Sequence, residues 1–112
     1  AMATTTETQR YNGWVNYSTW NVKLWLDNDE GIYRFWGDTA HQLIHDPDAL
    51  TYENEFMTVE RRRVHQLAEL LKTWHEEQLP DLRGFAADLL NASFGAVEWQ
   101  EIAESLLEDN QD

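Results

Sequence analysis

The sequence predicts a single small all-α domain of about five helices packed around a core rich in Trp and Leu. Three observations support this prediction. Apolar residues recur three and four positions apart, residues that cap or stop helices separate these runs, and no segment shows the alternation typical of a strand. The length of 112 residues is that of one domain, and a hydrophobic content of 42% with six Trp provides enough apolar surface for a core.

The first two predicted helices lie in the N-terminal half of the chain. The first is capped by Ser18 or Thr19 and ends at the acidic cluster 27–30. We expect its interior face to comprise Trp20, Val22, Leu24 and Trp25. The second begins in that cluster, whose side chains can cap backbone N–H groups, and ends near His45 because Pro47 disfavours helix at the preceding residue. Its helically spaced apolar residues are Ile32, Phe35, Trp36, Ala40, Leu43 and Ile44.

The third predicted helix is the longest, and it follows a connector at residues 46–57. Tyr52 and Phe56 could hold this connector against the core. Thr58 caps the helix and Pro80 closes it, because proline cannot continue a helix. One face of the helix carries Val64, Leu67, Leu71, Trp74 and Gln78.

The last two predicted helices are separated by Ser93 and Gly95. The fourth covers residues 81–92, and we expect it to turn inward Leu82, Phe85, Ala86, Leu89 and Leu90. The fifth runs from about Ala96 to Leu107, with apolar residues at the i, i+3, i+4, i+7 spacing of a buried helical stripe. This stripe consists of Trp99, Ile102, Ala103 and Leu106.

The helical domain is expected to cover residues 11–108, between a disordered polar tail at 1–10 and a frayed C-terminus at 109–112. The chain has no Cys, which excludes disulfides, thiolate metal sites and cysteine nucleophiles. No apolar run approaches the roughly 18 residues of a membrane span, and the N-terminus lacks the pattern of a signal peptide. We therefore expect a cytoplasmic protein with no membrane partner.

Net charge is the most unusual global property of the sequence. The 21 Asp and Glu against 8 Lys and Arg give a formal net charge of -13. Direct binding to nucleic acid is not expected, because such binding depends on cationic groups that neutralise phosphates. A protein partner with a basic surface is expected instead, because strong net charge selects partners of the opposite sign.

Two features resemble metal sites, but both are incomplete. His41 and His45 lie four residues apart, a spacing that can place two imidazoles on one zinc ion, yet two ligands are too few and no third is identifiable. The cluster that begins at Asp27 resembles a calcium loop, but Ile32 and Asp38 occupy the positions that require Gly and Glu. We therefore expect no metal and no cofactor, and we interpret this cluster as helix punctuation.

No catalytic arrangement is recognisable, so the chain is not predicted to be an enzyme. Ser18, Ser93 and Ser105 lie at predicted caps or on a helix surface, without the glycine-flanked turn of a nucleophile elbow. The carboxylates are too numerous for one catalytic pair to stand out. The basic cluster 61–63 opposes the dipole at a helix start, and we expect carboxylates of the same domain, such as Glu60 or those of the connector, to compensate it.

An aromatic segment near the N-terminus is the least ordinary part of the chain. Residues 11–21 read Tyr-Asn-Gly-Trp-Val-Asn-Tyr-Ser-Thr-Trp-Asn. Aromatic rings beside amides can either tie such a segment to a core or form a surface for stacking. The structural role is favoured because Trp and Tyr bury large areas and need polar partners. Tyr11, Trp14 and Tyr17 would form the alternative binding surface.

This N-terminal motif continues to Gly31, and a second motif, Trp-x-Glu-Ile-Ala, occupies residues 99–103. With both motifs, the chain resembles a family of short uncharacterised proteins encoded by phages, plasmids and other mobile elements. The resemblance covers both ends of the chain. It implies a genomic context and no mechanism, because no activity is established for that family.

Context and charge together suggest an inhibitor of host defence, acting on a restriction or CRISPR system by presenting carboxylates where phosphates would bind. Six acids between Glu98 and Asp112 would span about 22 Å of helix, or one charge per roughly 4 Å, near the roughly 3.4 Å of one DNA strand. We expect the acidic surface to comprise Asp81, Asp88, Glu98, Glu101, Glu104, Glu108 and Asp109. The alternative is a structural or regulatory helical adaptor or homo-oligomer, whose acidity reflects solubility or a salty cytoplasm.

Overall fold

Five helices form the fold of residues 10–112, which are the residues that the computed structural model describes. They are α1 (Tyr17–Asn28), α2 (Glu30–His45), α3 (Val59–Glu77), α4 (Phe85–Ala96) and α5 (Trp99–Asp109). This part of the chain contains no β-strand, only an isolated bridge between Tyr11 and Trp14. The predicted small all-α fold is confirmed. Of the tail expected at residues 1–10, all but Arg10 lies outside the described residues. No helix among the described residues is long and apolar enough to cross a membrane.

Side-chain caps start the first three helices. Asn16, Asp29 and Thr58 each accept a hydrogen bond from the backbone amide three residues later, at 2.9, 3.0 and 3.1 Å. Thr58 and the acidic cluster were predicted to cap helices, and both predictions are confirmed. The cap of α1 was predicted wrongly as Ser18 or Thr19. Asn16 caps this helix because the helix begins at Tyr17, which places Ser18 and Thr19 inside its first turn. The hydroxyl of Thr19 is buried and bonds to other parts of the fold instead.

Helix α5 lies at the centre of the packing and contacts α1, α2 and α3. Its predicted apolar stripe is buried, as predicted. Helices α2 and α3 run antiparallel beneath it: Arg63 of α3 donates to the carbonyl of Leu43 at the end of α2, whereas Trp36 of α2 contacts Trp74 near the end of α3. The larger core residues are Leu26, Trp36, Leu43, Val64, Leu67, Leu71, Val97, Trp99, Ile102, Leu106 and Leu107. Burial of such side chains, at about 25 cal/mol per Å² of apolar surface, is the main stabilising term.

The inward face of α1 differs from the prediction. The buried residues are Thr19, Lys23 and Leu26, whereas Leu24 is exposed and Trp25 is 69% exposed. Polar residues can occupy this stripe because their polar atoms have partners; Nζ of Lys23 donates to both carboxylate oxygens of Asp27, at 2.7 and 2.8 Å. Hydrophobicity alone therefore gave the wrong rotation of this helix.

Helix α4 also departs from the prediction. It begins at Phe85 rather than at residue 81, after Gly84 with a φ of 67°, and it continues through Ser93 and Gly95 to Ala96. None of its residues is buried. Phe85 and Leu89, which were expected to point inward, are 79% and 64% exposed. The helix packs on α1, and Phe94 near its end contacts Trp99 of α5, but the described residues leave Phe85 and Leu89 largely uncovered.

Gln66 of α3 holds the connector between α2 and α3 in place. Its Oε1 accepts hydrogen bonds from the backbone amides of Thr51 and Tyr52 at 2.8 and 2.9 Å, and its Nε2 donates to the carbonyl of Ala49 at 2.8 Å. Tyr52 is half-buried, but Phe56 is 90% exposed and does not contribute to the core. The ring of Tyr52 stacks on that of His65 of α3 at 4.1 Å, so Tyr52 and Gln66 hold the connector, whereas the expectation for Phe56 was wrong.

Candidate functional site

The outward side of α5 carries a row of carboxylates that we call the acidic face: Glu98, Glu101, Glu104, Glu108 and Asp109. Glu98 occupies the N-cap position without a side-chain hydrogen bond to the first turn, and the other four lie along the helix, on the side away from the core. At a rise of about 1.5 Å per residue the row spans about 16 Å, or one carboxylate per roughly 4 Å. Asp112, the sixth acid of the expected array, lies beyond the end of the helix.

Glu101 is engaged within the fold. Its Oε2 accepts a hydrogen bond from Nη2 of Arg10 at 3.0 Å, and its Oε1 accepts one from the backbone amide of Val15, also at 3.0 Å. The same Nη2 of Arg10 donates to the carbonyl of Gly13 at 2.6 Å. Glu101 therefore fastens the N-terminal segment to α5, and its charge is partly neutralised.

Glu104 is paired with the basic cluster at the start of α3. Its Oε2 accepts a hydrogen bond from Nη1 of Arg61 at 2.9 Å, while Nη2 of Arg61 donates to Oε1 of Gln100 at 3.1 Å. A carboxylate of α5 thus compensates Arg61, where Glu60 or the connector was expected to do so. Both side chains are about half exposed, so this ion pair contributes little stability.

The other two arginines of the basic cluster bond to backbone carbonyls rather than to carboxylates. Arg62 donates to the carbonyl of Tyr52 at 3.3 Å. Arg63 donates to the carbonyls of Leu43 and Ile44 at 3.1 and 3.3 Å, in the last turn of α2. A cation near a helix C-terminus interacts favourably with the helix dipole, so Arg63 stabilises the end of α2.

Glu98, Glu108 and Asp109 are the free members of the acidic face. All three are exposed, and none forms an ion pair with any residue in the range 10–112. Asp81 and Asp88 are also exposed, but Asp81 precedes α4 and Asp88 lies in its first turn, so neither belongs to the row on α5. The predicted acidic surface therefore divides into a row on α5 and two separate residues.

Two depressions flank the acidic face. The larger, of about 450 Å³, lies between α5 and the start of α3, with Ile44, Val64 and Leu107 among its apolar lining and Glu60, Glu104 and Glu108 among its acids. The smaller, of about 310 Å³, lies between α5 and the N-terminal segment and is lined in part by Gly13, Trp14, Ser105 and Asp109. The row of carboxylates therefore forms a ridge that is accessible from both sides.

The N-terminal segment begins with a tight turn. The backbone groups of Tyr11 and Trp14 exchange hydrogen bonds of 2.7 and 2.8 Å across Asn12 and Gly13, whose φ angles are 49° and 89°. Positive φ at both central positions is the geometry that Asn-Gly favours in two-residue turns. Trp14 packs against the core, which supports a structural role for the segment.

Tyr11 and Tyr17 of the alternative binding surface lie in an aromatic cluster with Trp20. Their ring centroids are separated by 4.8 to 5.4 Å. Both tyrosines remain exposed, whereas Trp14 turns toward the core. The structure therefore brings two of the three predicted residues together on the surface.

Asn16 and Thr19 form a buried connection between the two ends of the chain. Nδ2 of Asn16 donates to the carbonyl of Ala96 at 2.7 Å, and its Oδ1 accepts from the amide and the hydroxyl of Thr19 at 2.9 and 2.7 Å. Oγ1 of Thr19 accepts a hydrogen bond from the amide of Glu98 at 2.9 Å. These structural roles of Asn16 and Thr19 were not predicted from the sequence. The position of two polar residues inside an aromatic motif is the feature that could have indicated them.

The paired histidines and the serines are the side chains with potential for metal binding or nucleophilic catalysis. The rings of His41 and His45 lie 4.2 Å apart on the exposed side of α2, and the described residues contain no group of three or more His, Asp or Glu side chains that could hold a metal ion. The hydroxyl oxygens of Ser18 and Ser93 lie 2.9 Å apart and join α1 to α4. We therefore assign no residue to catalysis or to metal binding.

The ring of His75 is partly buried in the core between α2, α3 and α5. Its ring lies among those of Trp36, Trp74 and Trp99, at centroid distances of 6.4, 4.8 and 5.1 Å. Burial lowers the pKa of His75, and the hydrogen bond from its Nδ1 to the carbonyl of Leu71 opposes this effect. The neutral ring is thus part of the core packing.

The fold and its exposed carboxylates define a small all-α domain with an acidic helical face. The chain belongs to DUF7249, a family of unknown function, whose model matches residues 7–112. The match covers both motifs that gave the resemblance. No curated protein and no solved structure matches the chain.

Proposed function

We propose that this chain is a non-catalytic protein-binding module from a mobile element, whose acidic face binds a basic, nucleic-acid-binding protein of host defence. The observation that carries the proposal is the set of three free carboxylates, Glu98, Glu108 and Asp109, on a helix whose opposite side is buried in the core. A rigid helix holds the charges in a fixed row. Such a row can replace phosphates in a basic cleft without any contact to DNA by this chain.

The charge balance supports the same proposal. With 21 acids and 8 cations, at least 13 carboxylates must lack a cationic partner within the chain. Unpaired charges are costly to bury, so these carboxylates face solvent or another molecule. Their field attracts a basic surface over about 10 Å at 0.1 M salt, which raises the rate of association with such a partner.

The target class in this proposal is a restriction or CRISPR nuclease, and the site of action is the cytoplasm. Inhibition would be competitive, because the acidic face and DNA would occupy the same basic cleft. Binding would weaken as salt rises, since exposed charges contribute most of the attraction. A mimic of this kind requires no cofactor and no metal.

The test uses two variants with equal changes in charge. The acidic-face variant carries Glu98→Gln, Glu108→Gln and Asp109→Asn. The matched control carries Glu53→Gln, Glu55→Gln and Asp48→Asn, which change exposed residues of the connector. Glu101 and Glu104 stay unchanged because both bond to other parts of the fold.

The measurement is DNA cleavage by purified restriction and CRISPR nucleases in the presence of each variant. We expect the parent and the control to inhibit one of these nucleases in competition with DNA, and the acidic-face variant to lose inhibition while keeping the melting temperature of the parent. Unchanged inhibition by the acidic-face variant would contradict the proposal. Loss of inhibition on Tyr11→Ala or Tyr17→Ala instead would move the binding surface to the aromatic cluster.

The apolar surface of α4 favours a second candidate, a helical adaptor that associates with another copy of itself. Phe85 and Leu89 lie one helical turn apart and are largely exposed, and Asp88 is the only charged residue of α4. Two acidic chains would repel least at this face. Association through it would persist in high salt and would be lost in a Phe85→Ser, Leu89→Ser variant, as measured by analytical ultracentrifugation.

A further inference from the structure

An aromatic groove runs along the seam between α2 and α3. It has a volume of about 240 Å³, and its lining includes Phe35, Trp36, Leu70, Thr73, Trp74 and Glu77. Trp36 is buried and Trp74 is half-buried, whereas Phe35 is 53% exposed and Leu70 is 44% exposed. The groove therefore presents apolar and aromatic surface of Phe35 and Leu70 to solvent, and exposed apolar surface of this kind is typical of binding sites.

The three rings of this groove are inclined steeply to one another. Phe35 and Trp36 lie 5.0 Å apart with an interplanar angle of 79°, and Trp36 and Trp74 lie 6.1 Å apart with an angle of 85°. Rings at nearly right angles form adjacent walls rather than a flat stack. A cation binds best over the face of such a ring, because the face carries the negative end of the ring quadrupole.

Helix geometry also places a carboxylate at the end of the groove. Leu70, Trp74 and Glu77 follow the i, i+4, i+7 spacing along α3, so they share one side of that helix. Glu77 is exposed and has no ion-pair partner in the part of the chain that the structure describes. Its carboxylate is the only charged group of the groove lining.

We propose that this groove accepts an arginine side chain of a basic protein partner. The inference rests on the proposed function, because it names a second contact that the same partner would make. The guanidinium would stack on the exposed ring of Phe35 beside the half-buried Trp74, its aliphatic stem would lie against Leu70, and its N–H groups would donate to Glu77. Arginine suits the groove better than lysine, since a planar guanidinium is more weakly hydrated and stacks on aromatic rings.

Charge complementarity selects this occupant over an apolar one. A chain with a net charge of -13 attracts cations to its surface, and the groove adds an unpaired carboxylate beside exposed rings. An apolar ligand would form no favourable electrostatic interaction with the carboxylate of Glu77. A neutral isostere of arginine would therefore bind more weakly than arginine itself.

The experiment titrates the free chain with N-acetyl-arginine amide and, in parallel, with N-acetyl-citrulline amide, which has nearly the same shape and no charge. Chemical shifts of the backbone amides and of the six Trp indole N–H groups report the site of binding. We expect arginine amide to shift the signals of Trp74 and of residues around Phe35, and citrulline amide to do so several-fold more weakly. Phe35→Ala and Glu77→Gln should each weaken binding by about two- to fivefold.

Glu76→Gln is the matched control for Glu77→Gln, because Glu76 is exposed, adjacent and outside the groove lining. It should leave the shifts at Trp74 unchanged. Equal binding of citrulline amide, equal effects of the two Gln variants, or shifts confined to α5 would overturn the proposal. Phe35 is exposed, so its variant is expected to fold; should it not, Glu77→Gln decides the question alone.

The two proposals fail separately. The titration needs no partner, so a positive result at Trp74 stands even if the acidic-face variant retains full inhibition of a nuclease. Conversely, an inhibitor that depends on Glu98, Glu108 and Asp109 but shows no arginine shift in the groove would support the proposed function and overturn this inference.

Discussion

The backbone amide of Glu98 donates a hydrogen bond of 2.9 Å to the hydroxyl of Thr19, which lies 79 positions earlier in the chain and is fully buried. This bond joins the first turn of α1 to the start of α5. The hydroxyl of Thr19 in turn donates to Oδ1 of Asn16 at 2.7 Å. One side chain thus satisfies polar groups from both ends of the domain.

Replacement of Thr19 by Val should destabilise the fold by about 1–2 kcal/mol, because the partly buried Glu98 amide loses its hydrogen-bond partner. Thr19→Ser keeps the hydroxyl and should retain most of the stability. Urea unfolding monitored by Trp fluorescence measures both changes. Equal stabilities of the Val and Ser variants would show that the hydroxyl contributes only through its packing.

Replacement of Trp99 by Ala should cost about 3–5 kcal/mol, because the indole is buried at the centre of the core. Phe85→Ala removes a large aromatic side chain from an exposed position and should change the stability by less than about 0.5 kcal/mol. Thermal and urea unfolding of the two variants provide the comparison. A larger loss for Phe85→Ala would require an inward-facing α4.

Stability should fall as the pH is lowered through the range in which His75 titrates. Burial lowers the pKa of His75 in the folded state, so the unfolded chain binds the proton first, at its ordinary pKa of about 6.5. This contribution to stability is present above that value and is lost as the pH falls through the lowered pKa. His75→Phe, which keeps an aromatic ring, should flatten the dependence below about pH 6.5. An unchanged slope in the variant would assign the effect to other groups.

Zinc or calcium at modest excess should leave the melting temperature unchanged. A ligand that binds the folded state raises its stability, but the His41–His45 pair and the acidic cluster before α2 each offer too few ligands. Differential scanning fluorimetry with and without a chelator measures this. A saturable rise that His41→Ala abolishes would contradict the prediction.

The sequence was sufficient to predict the boundaries and buried faces of helices that pack against the core on one side only. The apolar stripe of α5 from Trp99 to Leu106 was predicted correctly because that side of the helix is buried in the core. Thr58 caps α3, as its residue type and its position before the apolar run predict. In these elements local propensity, periodicity and burial agree. Agreement of this kind makes helix boundaries and faces predictable.

The same reasoning failed where tertiary contacts override hydrophobicity. Lys23 is buried while Trp25 is exposed, because the paired ammonium of Lys23 can be tolerated inside and the position of α1 is set by the hydrogen bonds of Asn16 and Thr19. These bonds involve residues about 80 positions away, which periodicity cannot detect. The acidic face was predicted by position, but the bonds of Glu101 and Glu104 to distant arginines were not.

The connection through Asn16 and Thr19 separates residues that hold the fold together from residues that remain exposed on the surface. The N-terminal motif contributes its turn, its cap and its hydroxyl to holding α1 against the start of α5. Exposed side chains such as Glu108 and Leu89 take no part in these bonds, so their replacement can alter the surface of α4 and α5 without loosening the attachment of α1 to α5.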